Sequence, residues 1–209
     1  MIYITTYPLT QRINPMRKLL LTTAAVAAAI GLAGCGSGTL IDERDGQKYR
    51  TVVIGGDRWM AQNLNYKTDS SWCYKNNADA NSCKKYGRVY AWNAANKACP
   101  AGYHLSSRQE WDRLVATAGG EKIAGKKLKA KSGWSWNDRN RVSGDGTDNY
   151  GFSALSTDNG DYNGIWWTPT ESSPRQAICR VINFTYDYVD ESHENKSLGL
   201  SVRCVADNP

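Results

Sequence analysis

The chain has 209 residues, with 26 lysines and arginines against 20 acids and two histidines, a net charge of +6. Those charges are interspersed and form no basic stripe, so the balance gives no argument for nucleic acid. Eight Trp, twelve Tyr and nineteen Gly against only two Phe describe a core of amphipathic aromatics connected by many turns, and exclude a low-complexity or fibrous chain.

At the N-terminus Arg17-Lys18 precedes Leu19-Leu-Leu21, a Thr/Ala/Val/Ile run to Ile30, and Leu32-Ala-Gly-Cys35. A basic start, an apolar stretch and small residues at a cleavage point are the requirements of a secretory signal. The stretch has about 16 residues, short of the roughly 20 that span a bilayer. Leu32-Ala-Gly-Cys35 resembles the lipobox of bacterial lipoproteins, in which the cysteine is acylated and becomes the mature N-terminus. The expected organisation is a signal peptide over 1–34, a lipidated tether over 35–41 and one domain over 42–207. A signal starting at Met16 has ordinary proportions, so the true start is expected there. Cleavage removes Arg12, Arg17 and Lys18, leaving 23 basic against 20 acidic residues.

In the domain, Tyr49-Arg-Thr-Val-Val-Ile54 and Trp59-Met-Ala-Gln-Asn-Leu64 flank Gly55-Gly56-Asp57-Arg58 and read as a hairpin. Ser107 and Glu110 have capping-box spacing, and Trp111, Leu114, Val115 and Ala118 follow at helical spacing until Gly119-Gly120. From about Lys131 to Thr170 a Trp-, Gly- and Asp-rich region shows little periodicity and predicts long ordered loops. At the end, Leu198, Leu200, Val202 and Cys204 alternate with Gly199, Ser201 and Arg203, the pattern of a half-buried strand.

With Cys35 assigned to lipid, Cys73, Cys83, Cys99, Cys179 and Cys204 remain, an odd number in an oxidising compartment. Cys73 and Cys83 bracket a polar loop that a bridge would constrain. For Cys204 two partners are open: Cys99, before the helix, or Cys179, if Ala177–Tyr186 and Ser197–Val205 are neighbouring strands. No CxxC occurs and His104 and His193 are isolated, so zinc is not expected.

Five blocks now carry a resemblance: Asp45-Gly-Gln-Lys-Tyr-Arg-Thr-Val-Val-Ile-Gly-Gly-Asp-Arg-Trp-Met-Ala-Gln-Asn-Leu64, Tyr86-Gly-Arg-Val-Tyr-Ala-Trp92, Cys99-Pro-Ala-Gly-Tyr-His-Leu105 with Glu110-Trp111, Tyr150-Gly-Phe-Ser-Ala-Leu155, and Ser201-Val-Arg-Cys-Val205. In this order they resemble the Fibrobacter succinogenes major paralogous domain. The resemblance implies an exported protein, often a lipoprotein, of a family without an assigned activity. It also implies an α+β fold similar to the C-type-lectin-like fold of formylglycine-generating enzymes. That fold has small twisted antiparallel sheets, one or two helices, long ordered loops and a long-range disulfide. The resemblance thereby favours Cys99–Cys204 and leaves Cys179 as the extra thiol. His104-Leu105-Ser106 stands where the family usually has a proline. No Glu-Pro-Asn sugar motif is present.

Asp145-Gly-Thr-Asp148-Asn149 spaces oxygen ligands around a glycine turn, so Asp145 and Asp148 are candidate calcium ligands, although Asp and Asn also stabilise turns unaided. Trp136-Asn137-Asp138 is similar to a lectin tripeptide but lies far from the closing cysteine strand. Trp134, Trp136, Trp166 and Trp167 fall in the loop-rich region and could stack on sugar rings, or fill an aromatic core. No nucleophile–base or metal-hydrolase motif occurs, and Cys179 with Cys204 lacks the flanking residues of a formylglycine-generating pair, so no enzyme is expected. The sequence therefore suggests a lipid-anchored envelope protein binding a polysaccharide or other surface component, or alternatively a structural or protein-interaction domain without a small ligand.

Overall fold

The early hairpin forms where glycine permits it. Strand β2 (Lys48–Ile54) turns through Gly55 and Gly56, at φ 65° and 91°, into β3 (Asp57–Met60). Positive φ at both turn residues matches the twist of the flanking strands. The structure, a computed structural model, describes residues 36–74, 80–137, 142–157 and 162–207, without the side chains of 80, 136, 137 and 142. The expected signal peptide, Cys35 and Asp138 lie outside these residues.

Among the described residues there are two open sheets, a short ladder and four helices. One sheet runs β1 (Gly38–Ile41), β2, β3, β13 (Cys204–Ala206), β6 (Tyr103–Leu105). The other runs β11 (Val189–Asn195), β10 (Gln176–Asn183), β9 (Asn163–Ser173), β12 (Leu200–Ser201), β5 (Arg88–Tyr90), β4 (Ser71–Cys73). Pairing is antiparallel except where β12 meets β9, at Ser201 opposite Trp166. Strands β7 (Trp136–Asn137) and β8 (Val142–Ser143) form the ladder. The helices are α1 (Ala80–Tyr86), α2 (Trp92–Ala98), α3 (Arg108–Thr117) and α4 (Glu121–Leu128), a mixed α+β content with more helices than the one or two expected.

Helix α3 carries the anticipated capping box: Glu110 N–H donates to Ser107 Oγ at 3.3 Å, and Ser107 N–H to Glu110 Oε2 at 2.6 Å. It buries Trp111, Leu114 and Val115. The last segment departs from its sequence pattern. Instead of one half-buried strand it forms β12 in one sheet and β13 in the other, and Ser201 and Arg203 are fully buried beside Val202 and Cys204. A segment passing between two sheets has no solvent side.

Strand β9 also departs, because Trp166 and Trp167 sit in it and not in loops. Trp166 packs with Trp59, Trp111 and Phe152, while Trp167 packs on the opposite face with Met60, Tyr90, Leu105 and Cys204. A strand covered on both faces loses the apolar–polar alternation by which strands are found. Pro169, which cannot donate to a ladder, lies where the β9–β10 register shifts.

Disulfides join Cys73 to Cys83 and Cys99 to Cys204. Cys179 is a buried free thiol on β10, whose neighbours are β9 and β11, so the other possible partner for Cys204 lies in a different sheet.

Candidate functional site

Three of the four loop tryptophans cannot offer a sugar-stacking face. Trp166 and Trp167 are fully buried and Trp134 is 6% exposed. Each indole N–H is bound inside: Trp134 to Ala154 O, Trp166 to Asn63 Oδ1 and Trp167 to Tyr90 O, at 2.8–3.0 Å. The backbone of Trp136 lies in β7, and its side chain is outside what is described. Of the two roles open to these tryptophans, sugar stacking or core filling, Trp134, Trp166 and Trp167 take the second.

The two aspartates serve turns. Asp145 accepts from Trp134 N–H (3.0 Å) and the Ser143 hydroxyl (2.7 Å). Asp148 accepts from the Ser153 N–H and hydroxyl, both at 2.7 Å. All four carboxylate oxygens have protein donors, the turn-stabilising alternative to calcium. No group of three His, Cys, Asp or Glu that could hold a metal occurs among the described residues.

The exposed aromatics lie elsewhere, on the connection from β10 to β11 and beside it. Tyr186 and Tyr188 are 55% and 43% exposed, and their rings stack at 5.5 Å with an interplanar angle of 10°. Tyr162, also exposed, packs on Phe184 at 4.9 Å. No hydrogen bond to the Tyr186 or Tyr188 hydroxyl occurs among the described residues.

This connection is held from beneath. Asn183 Oδ1 accepts from Thr185 N–H at 2.7 Å, an Asx turn that ends β10. The Asn183 amide donates to Asn163 Oδ1 at 2.7 Å, and Phe184 N–H donates to Tyr162 O at 2.7 Å. Lys129, 1% exposed, donates its ammonium to the carbonyls of Asn183 and Tyr186 at 3.2 Å each and lies 3.5 Å from Asp187 Oδ1. Burial pulls its pKa below the usual lysine value, and Asp187 opposes that pull. Gly125 of α4 completes the support: its N–H donates to Asp187 O at 2.8 Å, and a Cβ there would meet Tyr188 O at 2.6 Å.

Chemically, the result is an aromatic shelf: the outer faces of two stacked rings and their phenol hydroxyls, on a backbone where the carbonyls of Asn183, Tyr186 and Asp187 already accept hydrogen bonds. Apolar C–H faces of a pyranose stack on such rings while its hydroxyls meet the phenols. The sequence did not single out these tyrosines. Phe184-Thr-Tyr186-Asp-Tyr188 alternates like a strand, and only the asparagine before it hints that the strand ends.

Elsewhere, a polar network around Arg203 joins the two sheets. Arg203 is fully buried. It donates to Asn63 Oδ1 (2.6 Å), Phe152 O (2.6 Å), Met60 O (3.2 Å) and Ser153 O (3.1 Å), with Phe152 under its guanidinium at 4.4 Å. Desolvation lowers its pKa to about 9, which leaves it cationic at neutral pH.

A family model described as the Fibrobacter succinogenes major domain matches residues 52–206. No curated protein and no solved structure matches the chain. The matched span holds both disulfides, the Asn63–Arg203 network and the aromatic shelf. The chain belongs to the Fibrobacter succinogenes major domain family.

Proposed function

We propose that the chain is an exported cell-envelope protein, anchored by lipid on Cys35, whose domain binds a glycan on the Tyr186–Tyr188 shelf. The observation that carries this is the parallel pair of half-exposed rings on a connection fixed by a buried lysine. Binding a flexible surface costs ordering entropy, and a shelf fixed beforehand avoids most of it. The fold assignment goes with the proposal: a C-type-lectin-like domain, supported by the closing strand that returns between β3 and β6 and by the Cys99–Cys204 bridge that ties it to the segment after α2. The outer membrane or cell surface is the proposed location. Among the described residues no helix is long and apolar enough to cross a membrane.

A second reading, a structural or protein-interaction domain without a small ligand, draws on the burial of Trp134, Trp166 and Trp167. One pair of experiments separates the parts. Labelled palmitate should enter the wild-type chain and not Cys35→Ser; incorporation into both contradicts the anchor. The full chain in detergent should retain at least one polysaccharide on a cell-wall and plant glycan array. Retention of none favours the second reading.

A further inference from the structure

A cleft of about 490 Å³ opens over β2, the segment after β3 and the end of α1. It shares no lining residue with the aromatic shelf. Four of its lining side chains are cations: Lys48, Arg50, Lys84 and Lys85. All four are exposed, none forms an ion pair, and no carboxylate lines the cleft among the described residues. Elsewhere the arginines and lysines of this surface meet acids at short range, as in Arg44–Asp42, Arg108–Glu191 and Lys196–Glu171.

The neutral groups are placed for hydroxyls. Gln62 accepts the Arg50 backbone N–H at 2.8 Å, which leaves its amide NH₂ available to donate. Across the cleft the Arg50 guanidinium reaches Ser153 Oγ at 3.3 Å. Ser153 is held at φ 52°, and Asp148, itself at φ 46°, holds it through two hydrogen bonds. These are the two non-glycine residues at positive φ among the described residues, and such strain persists where the surroundings enforce it. Here the enforced strain sets Ser153 beside Arg50 at the cleft wall.

We propose that this cleft is a second binding site, for an acidic saccharide. Like charges converging on a concavity focus a positive field that draws an anion. A guanidinium takes a carboxylate through paired N–H donors, and the volume suits one or two sugar rings, within the usual range of about 300–1,000 Å³ for small-ligand sites. The inference is independent of the shelf: either site can fail alone.

The test is calorimetric titration of the full chain in neutral detergent with trigalacturonate, an uncharged glucan trimer and inorganic phosphate. Trigalacturonate should bind, and weaken steeply as ionic strength rises from about 0.01 to about 0.15 M, where the Debye length falls from about 30 to about 8 Å. Arg50→Gln should weaken it by about tenfold, the usual weight of a charged hydrogen bond. Lys85→Glu, a solvent-facing change on α1, should weaken it severalfold even if Arg50→Gln disturbs folding. The loss with Lys85→Glu should be the same in a Tyr186→Ala/Tyr188→Ala background, which removes the shelf. Absence of trigalacturonate binding, an equal loss of the neutral trimer with Lys85→Glu, equal binding of phosphate, or indifference of trigalacturonate to Lys85→Glu each overturns the proposal.

Discussion

Replacing Asn63 by alanine should cost more than any surface change, and the structure says how much. Asn63 Oδ1 accepts from two buried donors, the Trp166 indole N–H at 2.8 Å and Arg203 Nε at 2.6 Å. Its amide donates to Tyr86 O at 2.9 Å and approaches Ser201 Oγ at 3.3 Å. Truncation leaves at least one donor on a fully buried cation and one on a buried indole without an acceptor. Each orphaned group costs about 1–3 kcal/mol, more when charged, so the sum is about 3–5 kcal/mol, comparable to breaking a buried ion pair. At 2–4 °C per kcal/mol for a domain of this size, Tm should fall by roughly 10 °C. Asn63→Asp should cost less than alanine, because a carboxylate keeps the acceptor and adds a negative charge to the neutral acceptors of Arg203. Urea unfolding with the disulfides intact measures both. A loss below about 1 kcal/mol for Asn63→Ala, or aspartate costing more than alanine, would refute the view that this acceptor holds Arg203 between the sheets.

Other outcomes follow from single features. His104 lies 2.7 Å from both Asp207 Oδ1 and Glu110 Oε1. Desolvation lowers its pKa, yet the hydrogen bonds and charges of Asp207 and Glu110 outweigh it and leave the pKa above 6.5. Its contribution to stability is therefore complete below pH 6.5 and fades as pH rises through the higher folded value. Tm should decline across that window in wild type and decline less in His104→Gln. Cys179 is fully buried, and burial, with Glu194 adding to it, pushes its thiol up to about 12; Ellman's reagent should find no thiol in the folded protein and one after denaturation. The Cys99–Cys204 bridge closes a loop of sequence separation 105, so Cys99→Ser with Cys204→Ser should destabilise by about 3–5 kcal/mol in urea. Gly125→Ala, whose Cβ would press on Tyr188 O, should shift the tyrosine ring resonances while leaving the hydrogen-exchange protection of β13 intact.

The elements legible in the sequence were those with local causes. Gly55-Gly56 dictates its turn wherever the strands go, and Ser107 with Glu110 caps α3 from within four residues. The rest depended on what lies across the chain. Arg203 follows the polar beat of an exposed strand face, yet it is buried because Phe152, Ser153, Met60 and Asn63 supply its acceptors. Trp166 and Trp167 looked like loop residues because β9 is covered on both faces. Of the candidate site, the sequence offered Trp134, Trp136, Trp166 and Trp167 as stacking faces or as core, and did not point to Tyr186 and Tyr188. Exposure of Tyr186 and Tyr188 is set by Asn183 ending β10 and by Lys129, more than fifty positions earlier, holding the connection from below. No periodicity in the local sequence reports a support from so far away.

The most direct measurement is the affinity of the full chain and of Tyr186→Ala/Tyr188→Ala for whichever polysaccharide the array retains, at matched Tm. If the shelf is the glycan site, the double variant keeps its Tm within about 1 °C, as expected for exposed side chains, and loses binding by at least about tenfold, two stacked rings at roughly 1 kcal/mol each. Unchanged affinity in a folded double variant would contradict the account and leave the domain without a sugar-stacking surface at this loop.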